Sequence, residues 1–454
     1  MIPVHRACSV VLACAFAVAG LAGCSSRPSW VCACPKAAGP AYALDVTTAG
    51  RVRWQVPLGP PTSGLRLPPL AVGAVAVFAQ GDVLSQGDVL YGLRLADGHR
   101  LWSRAFTQGI AGLWRWQNLL VVLGQGGGHQ RHSVLTGLDA STGQARWTLR
   151  VGGSVADGFS QTADGGLAVN VDREDGVLEL EVVDLSSGRV RWTRPVDSDA
   201  IPPLAVGGGA VLFAGGADGD SNSSLTSYDD RTGQVRWTEP LEPRIDTLPP
   251  LQASDGLAYL TAEVLPAAGG QVTPAVLGIS VADGRVRWRV APDGLLETLR
   301  LEAPGLMSIA TSAYSGPSQD ELDPATGRVR WQVVSPYPPI ATPAGVVTAP
   351  GPDQVSMRDA LTGQIQWTAR VNGGWLPIDV GQVYAGGQDA GPFTVFPAGP
   401  FLVLPAAGPD GSHVLAALRM SDGHRAWQVT IPAPVGAPLS AAPGGILVYT
   451  GRAA

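Results

Sequence analysis

The sequence predicts an all-β fold, a β-propeller of four-stranded antiparallel blades. Two observations carry that prediction: a tryptophan that returns at blade-length intervals, and a turn motif that precedes it each time. The clearest copy runs Leu138-Asp139-Ala140, then Thr142-Gly143-Gln144-Ala145-Arg146-Trp147. Asp184, Asp229, Asp323 and Asp359 repeat Asp139, followed by Gly188 and Trp192, Gly233 and Trp237, Gly327 and Trp331, Gly363 and Trp367. Weaker copies are Asp45/Gly50/Trp54, Gly98/Trp102, Gly284/Trp288 and Gly423/Trp427. In all nine the tryptophan lies four residues after the glycine, and successive tryptophans are 48, 45, 45, 45, 51, 43, 36 and 60 residues apart. A period of about 40–50 residues is that of one propeller blade.

Each repeat reads as four short strands. Seven to fourteen residues after a tryptophan, five repeats show a proline-apolar phrase: Pro68-Pro69-Leu70, Pro202-Pro203-Leu204, Pro249-Pro250-Leu251, Pro338-Pro339-Ile340 and Ala437-Pro438-Leu439. Proline cannot donate to a ladder and is tolerated at a strand start or edge, which suits the innermost strand. An apolar run follows, such as Ala74-Val75-Ala76-Val77-Phe78, as expected of a strand covered on both faces. The third strand ends in the Leu-Asp of the motif, and Thr-Gly or Asp-Gly turns the chain into a fourth, the Asp or Thr beside the glycine helping to close the turn. Strict alternation there would send Val329 to one face, with Arg330 and Trp331 following in turn. One indole per blade, with 150–250 Å² typically buried by such a ring, predicts a belt of wedges between neighbouring sheets.

Fifty-nine glycines and 38 prolines make turns dense, and 15% charged residues is low beside an average near 25%. The net charge is −6, and the basic residues are spread one or two per repeat. Read linearly, that distribution contains no positive stripe and argues against a nucleic-acid partner.

The N-terminus reads as an address. His5 and Arg6 precede an apolar run, Ala7 to Gly20, of signal-peptide length and too short for a comfortable membrane span. It ends in Leu21-Ala22-Gly23-Cys24, which resembles a bacterial lipobox. The resemblance implies residues 1–23 as a lipoprotein signal peptide, Cys24 as the lipidated residue and 24–40 as a tether; a plain signal peptide is the alternative. Ser25, rather than Asp, after the cysteine implies sorting to the outer membrane where two membranes exist. Cys32 and Cys34 in the tether read as a local disulfide or two free thiols, since a zinc site needs about four ligands. Residues 41–454 form the propeller and contain no cysteine.

The phrase Leu-Asp-x-x-Thr-Gly-x-x-x-Trp resembles the tryptophan-docking repeat of pyrroloquinoline-quinone-type (quinoprotein alcohol dehydrogenase-like) propellers, over residues 41 to about 450. That family's norm is eight blades. Here the first motif has only third and fourth strands before it, and Pro438 to Tyr449 offers only a first and second. Joining those halves closes the ring and counts nine blades; eight results if one end lies outside it. Dehydrogenases of this superfamily hold a quinone with an adjacent-cysteine disulfide, a calcium and an aspartate base. The chain has no adjacent cysteines, and an aspartate repeated in successive blades is better placed to hold a turn than to perform one reaction.

Other candidates are weaker. Asp218, Asp220 and Asn222 place oxygen donors at alternate positions with Asp229 eleven residues after the first, as calcium loops do. The sixth position is Ser223 rather than glycine, so a polar loop is the plainer reading. His129 and His132 lie in a glycine-rich hairpin, and His99 and His424 follow turn glycines. Trp30, Trp114, Trp116 and Trp375 stand outside the belt, as core or as binding surface.

With its lipobox, tether and blade motif, the chain is similar to the propeller lipoproteins of the outer-membrane β-barrel assembly machine. The resemblance implies a monomeric, non-catalytic protein-binding scaffold without cofactor, on the periplasmic face of the outer membrane or the outer face of the cytoplasmic membrane. Its partners would be membrane or envelope proteins held by rim loops, or by strand addition at a blade edge. The alternative is a quinone- or metal-dependent enzyme or ligand sensor using the channel.

Overall fold

Nine tryptophans at one motif position become nine inter-blade wedges in the computed structural model. It describes residues 40–451 apart from 60–66, 82–87, 126–131, 174, 197–203, 216–223, 242–250, 265–272, 293–294, 304, 314–315, 335–338, 352, 372–394, 409 and 437. The described residues form nine four-stranded antiparallel sheets. Blades 1 to 8 are each built from four consecutive strands within residues 70–106, 109–150, 153–196, 204–240, 252–290, 295–334, 340–370 and 396–431.

Blade 9 joins the two ends of the propeller. Its strand order is Val52–Gly59, Ala41–Thr47, Gly445–Thr450, Ser440–Ala442. Tyr42 pairs with Thr450 and Thr47 with Gly445, in unbroken antiparallel register. The count is therefore nine, not the family norm of eight, because each half supplies the strands that the other lacks. This seam also removes two sheet edges that an open ring would expose.

First strands of successive blades approach one another, which places them at the inside of the ring and the fourth strands at its circumference. The proline phrases accordingly precede the first strands of blades 1, 4, 5, 7 and 9. Second and third strands carry the core. Phe78, Leu120, Val121, Leu167, Leu212, Leu260, Val346, Leu402 and Leu447 are all buried, because both faces of each blade are covered by neighbours.

Strict alternation fails on the fourth strands. In every blade the residue before the tryptophan is skipped by the pairing register: Ala145 faces Leu138 and Trp147 faces Gly137, leaving Arg146 as the extra residue of a β-bulge. The same skip falls at Arg53, Leu101, Arg191, Arg236, Arg287, Arg330, Gln366 and Ala426. A bulge adds twist and re-aims a side chain, here the indole, toward the adjacent blade.

Candidate functional site on the turn rim and outer strands

Each indole docks on the next blade in one way. Its Nε1 donates to a turn carbonyl at 2.7–3.2 Å: Trp54 to Leu95, Trp102 to Ala140, Trp147 to Leu185, Trp192 to Asp230, Trp237 to Val281, Trp288 to Pro324, Trp331 to Ala360, Trp367 to Met420 and Trp427 to Thr48. The ring lies on the turn glycine of that next blade. Those nine glycines have φ between 65° and 75°, and a Cβ on any of them would stand 2.3–2.8 Å from an indole atom. The glycine is thus required twice, by the turn and as the floor of the dock. Gly92, Gly137 and Gly278 repeat the second demand on the indole's own sheet, where a Cβ would come within 2.1–2.2 Å.

The motif aspartates close the turns. Asp139 Oδ1 accepts from the Ser141 and Thr142 amides and the Ser141 hydroxyl, while Oδ2 takes Arg146 at 2.6 Å. The Ser141 hydroxyl and then the Arg146 guanidinium hold this carboxyl far below the usual range. Asp229 is lowered likewise, first by Arg236 at 2.8 Å. Asp184 is lowered too; burial opposes the shift, and Ser186 and Arg191 outweigh it. Asp323 pairs with Arg330 at 3.2 Å, and Asp359 is held by the Thr362 amide and hydroxyl.

The Asp-Gly version of the turn, expected from the sequence, is closed by a different aspartate. In blades 1, 5 and 8 the aspartate stands directly before the glycine. Asp97, Asp283 and Asp422 accept from the amides of His99, Arg285 and His424. Asp97 and Asp422 then pair with Arg94 and Arg419, arginines that occupy the place of the motif aspartate. Charge is exchanged between two positions and the turn is kept.

Asp45 does not take the motif role. The first turn is one residue shorter, so Asp45 faces Trp54 in the register slot of Gly137 and is fully buried, 2.9 Å from Arg53. Burial pushes its carboxyl up, with Arg53 opposing. Thr47 serves the turn instead, its Oγ1 accepting from the Arg51 amide.

Cys24, Cys32, Cys34, Asp218, Asp220, Asn222, His129, Trp30 and Trp375 lie outside the described residues. His99, His132 and His424 are exposed. Trp114 and Trp116 sit half-buried on the first strand of blade 2. Trp114 meets Phe159 of blade 3 edge-to-face at 4.6 Å between ring centroids. Trp116 lies on Gly165 of the same blade, an inner dock resembling the outer ones. Among the described residues no three His, Cys, Asp or Glu side chains converge as a metal would need.

Ring closure gathers what the chain spreads. The nine fourth strands carry fourteen arginines: Arg53, Arg100, Arg104, Arg146, Arg150, Arg189, Arg191, Arg194, Arg236, Arg287, Arg289, Arg330, Arg370 and Arg425. Their one acidic residue is Glu239. A chain with no linear positive stripe therefore has a basic circumference, and six of its arginines lean on aspartates of their own blades. Beside them, Val190, Val235, Val286, Val329 and Ile365 repeat one motif position in blades 3 to 7 and are 38–56% exposed.

This geometry defines a class: a closed nine-bladed propeller of tryptophan-docked repeats, with basic, aliphatic-studded outer strands. Residues 37–200, 130–294 and 179–350 match the family described as "Outer membrane protein assembly factor BamB", and the chain belongs to that family. Among solved structures, a eukaryotic initiation factor is 12% identical, with 90% of this chain and 98% of that one covered and a TM-score of 0.52. BamB from Moraxella catarrhalis is 14% identical over 75% of this chain and 95% of its own, with a TM-score of 0.44. Quinohemoprotein alcohol dehydrogenase from Comamonas testosteroni is 12% identical over 92% and 77%, with a TM-score of 0.43. No curated protein sequence matches the chain.

Proposed function

We propose that the protein is a non-catalytic scaffold of the cell envelope that binds other envelope proteins and assists assembly of outer-membrane proteins. Cys24 would carry its lipid anchor and residues 24–40 its tether, with the propeller monomeric on the extracytoplasmic side. The observation that carries this reading is the family match, which spans residues 37–350 and whose description names an outer-membrane assembly factor. The repeated aspartates agree with it: Asp139, Asp184, Asp229, Asp323 and Asp359 are each engaged by the amides of their own turns. Carboxylates held in this way are poor general bases, since those bonds stabilise the ionised form.

The test is affinity isolation of the full chain from detergent-solubilised envelopes, with the isolated protein assayed for bound quinone and metal. A reproducible outer-membrane assembly partner is expected. Recovery of a stoichiometric cofactor with no protein partner overturns the reading in favour of channel chemistry. Cys24→Ala is expected to release the protein from membranes; unchanged membrane association would remove the anchor from the proposal.

A further inference from the structure

The circumference offers nine open sheet edges, and an open edge recruits a further strand unless a bulge, a charge or a proline guards it. The bulge before each tryptophan interrupts every outer strand at one point, so the residues beyond it decide whether an edge can accept a further strand. Beyond the tryptophan, Pro57 guards blade 9, Arg104 blade 1, Arg150 blade 2, Arg194 and Pro195 blade 3, Glu239 and Pro240 blade 4, Arg289 blade 5 and Arg370 blade 7. Blades 6 and 8 remain. In blade 8 the segment Gln428-Val429-Thr430-Ile431 turns its isoleucine inward, fully covered.

Blade 6 is different. Its outer strand, Val329–Val334, ends in Gln332-Val333-Val334 with neither charge nor proline. Val334 is 69% exposed, more than any other large hydrophobic residue exposed among those described. Val329 faces Leu322, Gln332 faces Asp320 and Val334 faces Ser318, all at even spacing on the third strand. The bulge at Arg330 therefore brings Val329 and Val334 to one face of the edge with Gln332 between them. Arg328, exposed at the start of this edge, makes no ion pair among the described residues. Arg330 is committed to Asp323.

We propose that the outer edge of blade 6 receives an extended strand of a partner protein, with β-branched apolar side chains over Val329 and Val334 and a carboxylate at Arg328. Backbone pairing supplies the affinity, and the valine pair with the arginine sets register and sequence preference. The inference rests on the protein-binding reading and names its site and the chemistry of its ligand.

The full chain would be mixed with the peptide Val-Thr-Thr-Thr-Val-Glu, whose valines stand as far apart as Val329 and Val334 do in register and whose glutamate falls beside Arg328 in antiparallel pairing, and its backbone amide exchange followed by mass spectrometry. Exchange across 329–334 is expected to slow by about tenfold or more, as new ladder bonds protect those amides. The outer strand of blade 4, Val235–Pro240, should be unchanged. Val334→Lys is expected to abolish the protection and Val235→Lys to leave it intact; replacing the peptide's glutamate by lysine should weaken it. No protection, equal protection at every edge, or protection that survives Val334→Lys would overturn the proposal. A dimer of the chain alone that Val334→Lys disperses in sedimentation would overturn it too, by assigning the edge to a second copy. Envelope partners retained by wild type and Val334→Lys alike, with no peptide protection, would sink this inference and leave the scaffold reading standing.

Discussion

Trp427 donates its indole N–H to the carbonyl of Thr48 at 2.8 Å across 379 residues of sequence, and lies on Gly50 as it does so. The last tryptophan of the chain docks on the first turn, so ring closure uses the same contact as every other blade junction. Trp427→Ala is expected to destabilise the protein by about 3–5 kcal/mol, the usual cost of removing a packed indole. Trp427→Phe, which keeps most of the packing and loses the donor, should cost less. Urea denaturation of both variants beside Trp147→Ala tests this; a Trp427→Ala midpoint equal to wild type would mean that the ring does not depend on its closing dock.

The turn glycines allow a cleaner separation of backbone from packing. Gly143→Ala suffers a left-handed backbone (φ 68°) and a Cβ 2.6 Å from Trp102, whereas Gly176→Ala suffers the backbone (φ 81°) with nothing within 4 Å. The expected costs are roughly 1 kcal/mol for Gly176→Ala and a further 1–3 kcal/mol for Gly143→Ala from overpacking. Equal thermal shifts for the two would show that the indole does not rest on the glycine.

Acid should loosen the turns. Asp139, Asp184 and Asp229 are held well below the ordinary aspartate value of 3.8 when folded, so the unfolded chain takes up protons first as pH falls. Their contribution is complete above the unfolded value and is lost as pH drops through it toward the folded values. Urea midpoints measured between pH 7 and pH 3 should fall, and the triple Asp→Asn variant should fall less steeply. A parallel pH profile for wild type and variant would rule out these carboxylates as the cause.

Asp45 carries the opposite sign. Its folded value is raised by burial, so the ionised form costs stability above that value and the cost disappears as pH falls through it. Asp45→Asn is expected to be at least as stable as wild type at pH 7, with the difference shrinking toward pH 3. A loss of more than about 1 kcal/mol at pH 7 would instead show that the contact with Arg53 outweighs burial.

The site was legible only in part. The turn aspartates stood out because they recur, and so did the tryptophans. The Asp-Gly turns of blades 1, 5 and 8 were legible as turns, but the ion pairs Asp97 with Arg94 and Asp422 with Arg419 were not, because they exchange the motif's charges between positions. Asp45 was misleading: it lies near the motif spacing, but the shorter turn ahead of Gly50 shifts it into the buried slot facing Trp54.

By itself the sequence determined the blade, since a glycine four residues before a tryptophan encodes a tight turn and a wedge through local geometry alone. It also determined that the two ends complement each other. Only the tertiary structure decided that nine such units close, that Arg146 and its counterparts sit on bulges, and that arginines spread one or two to a repeat share one circumference. It also singled out Val334 as the exposed end of an unguarded edge. The physical reason is that a linear pattern specifies what each residue meets within its own hairpin, whereas charge density and edge exposure depend on which strands the closed ring turns outward.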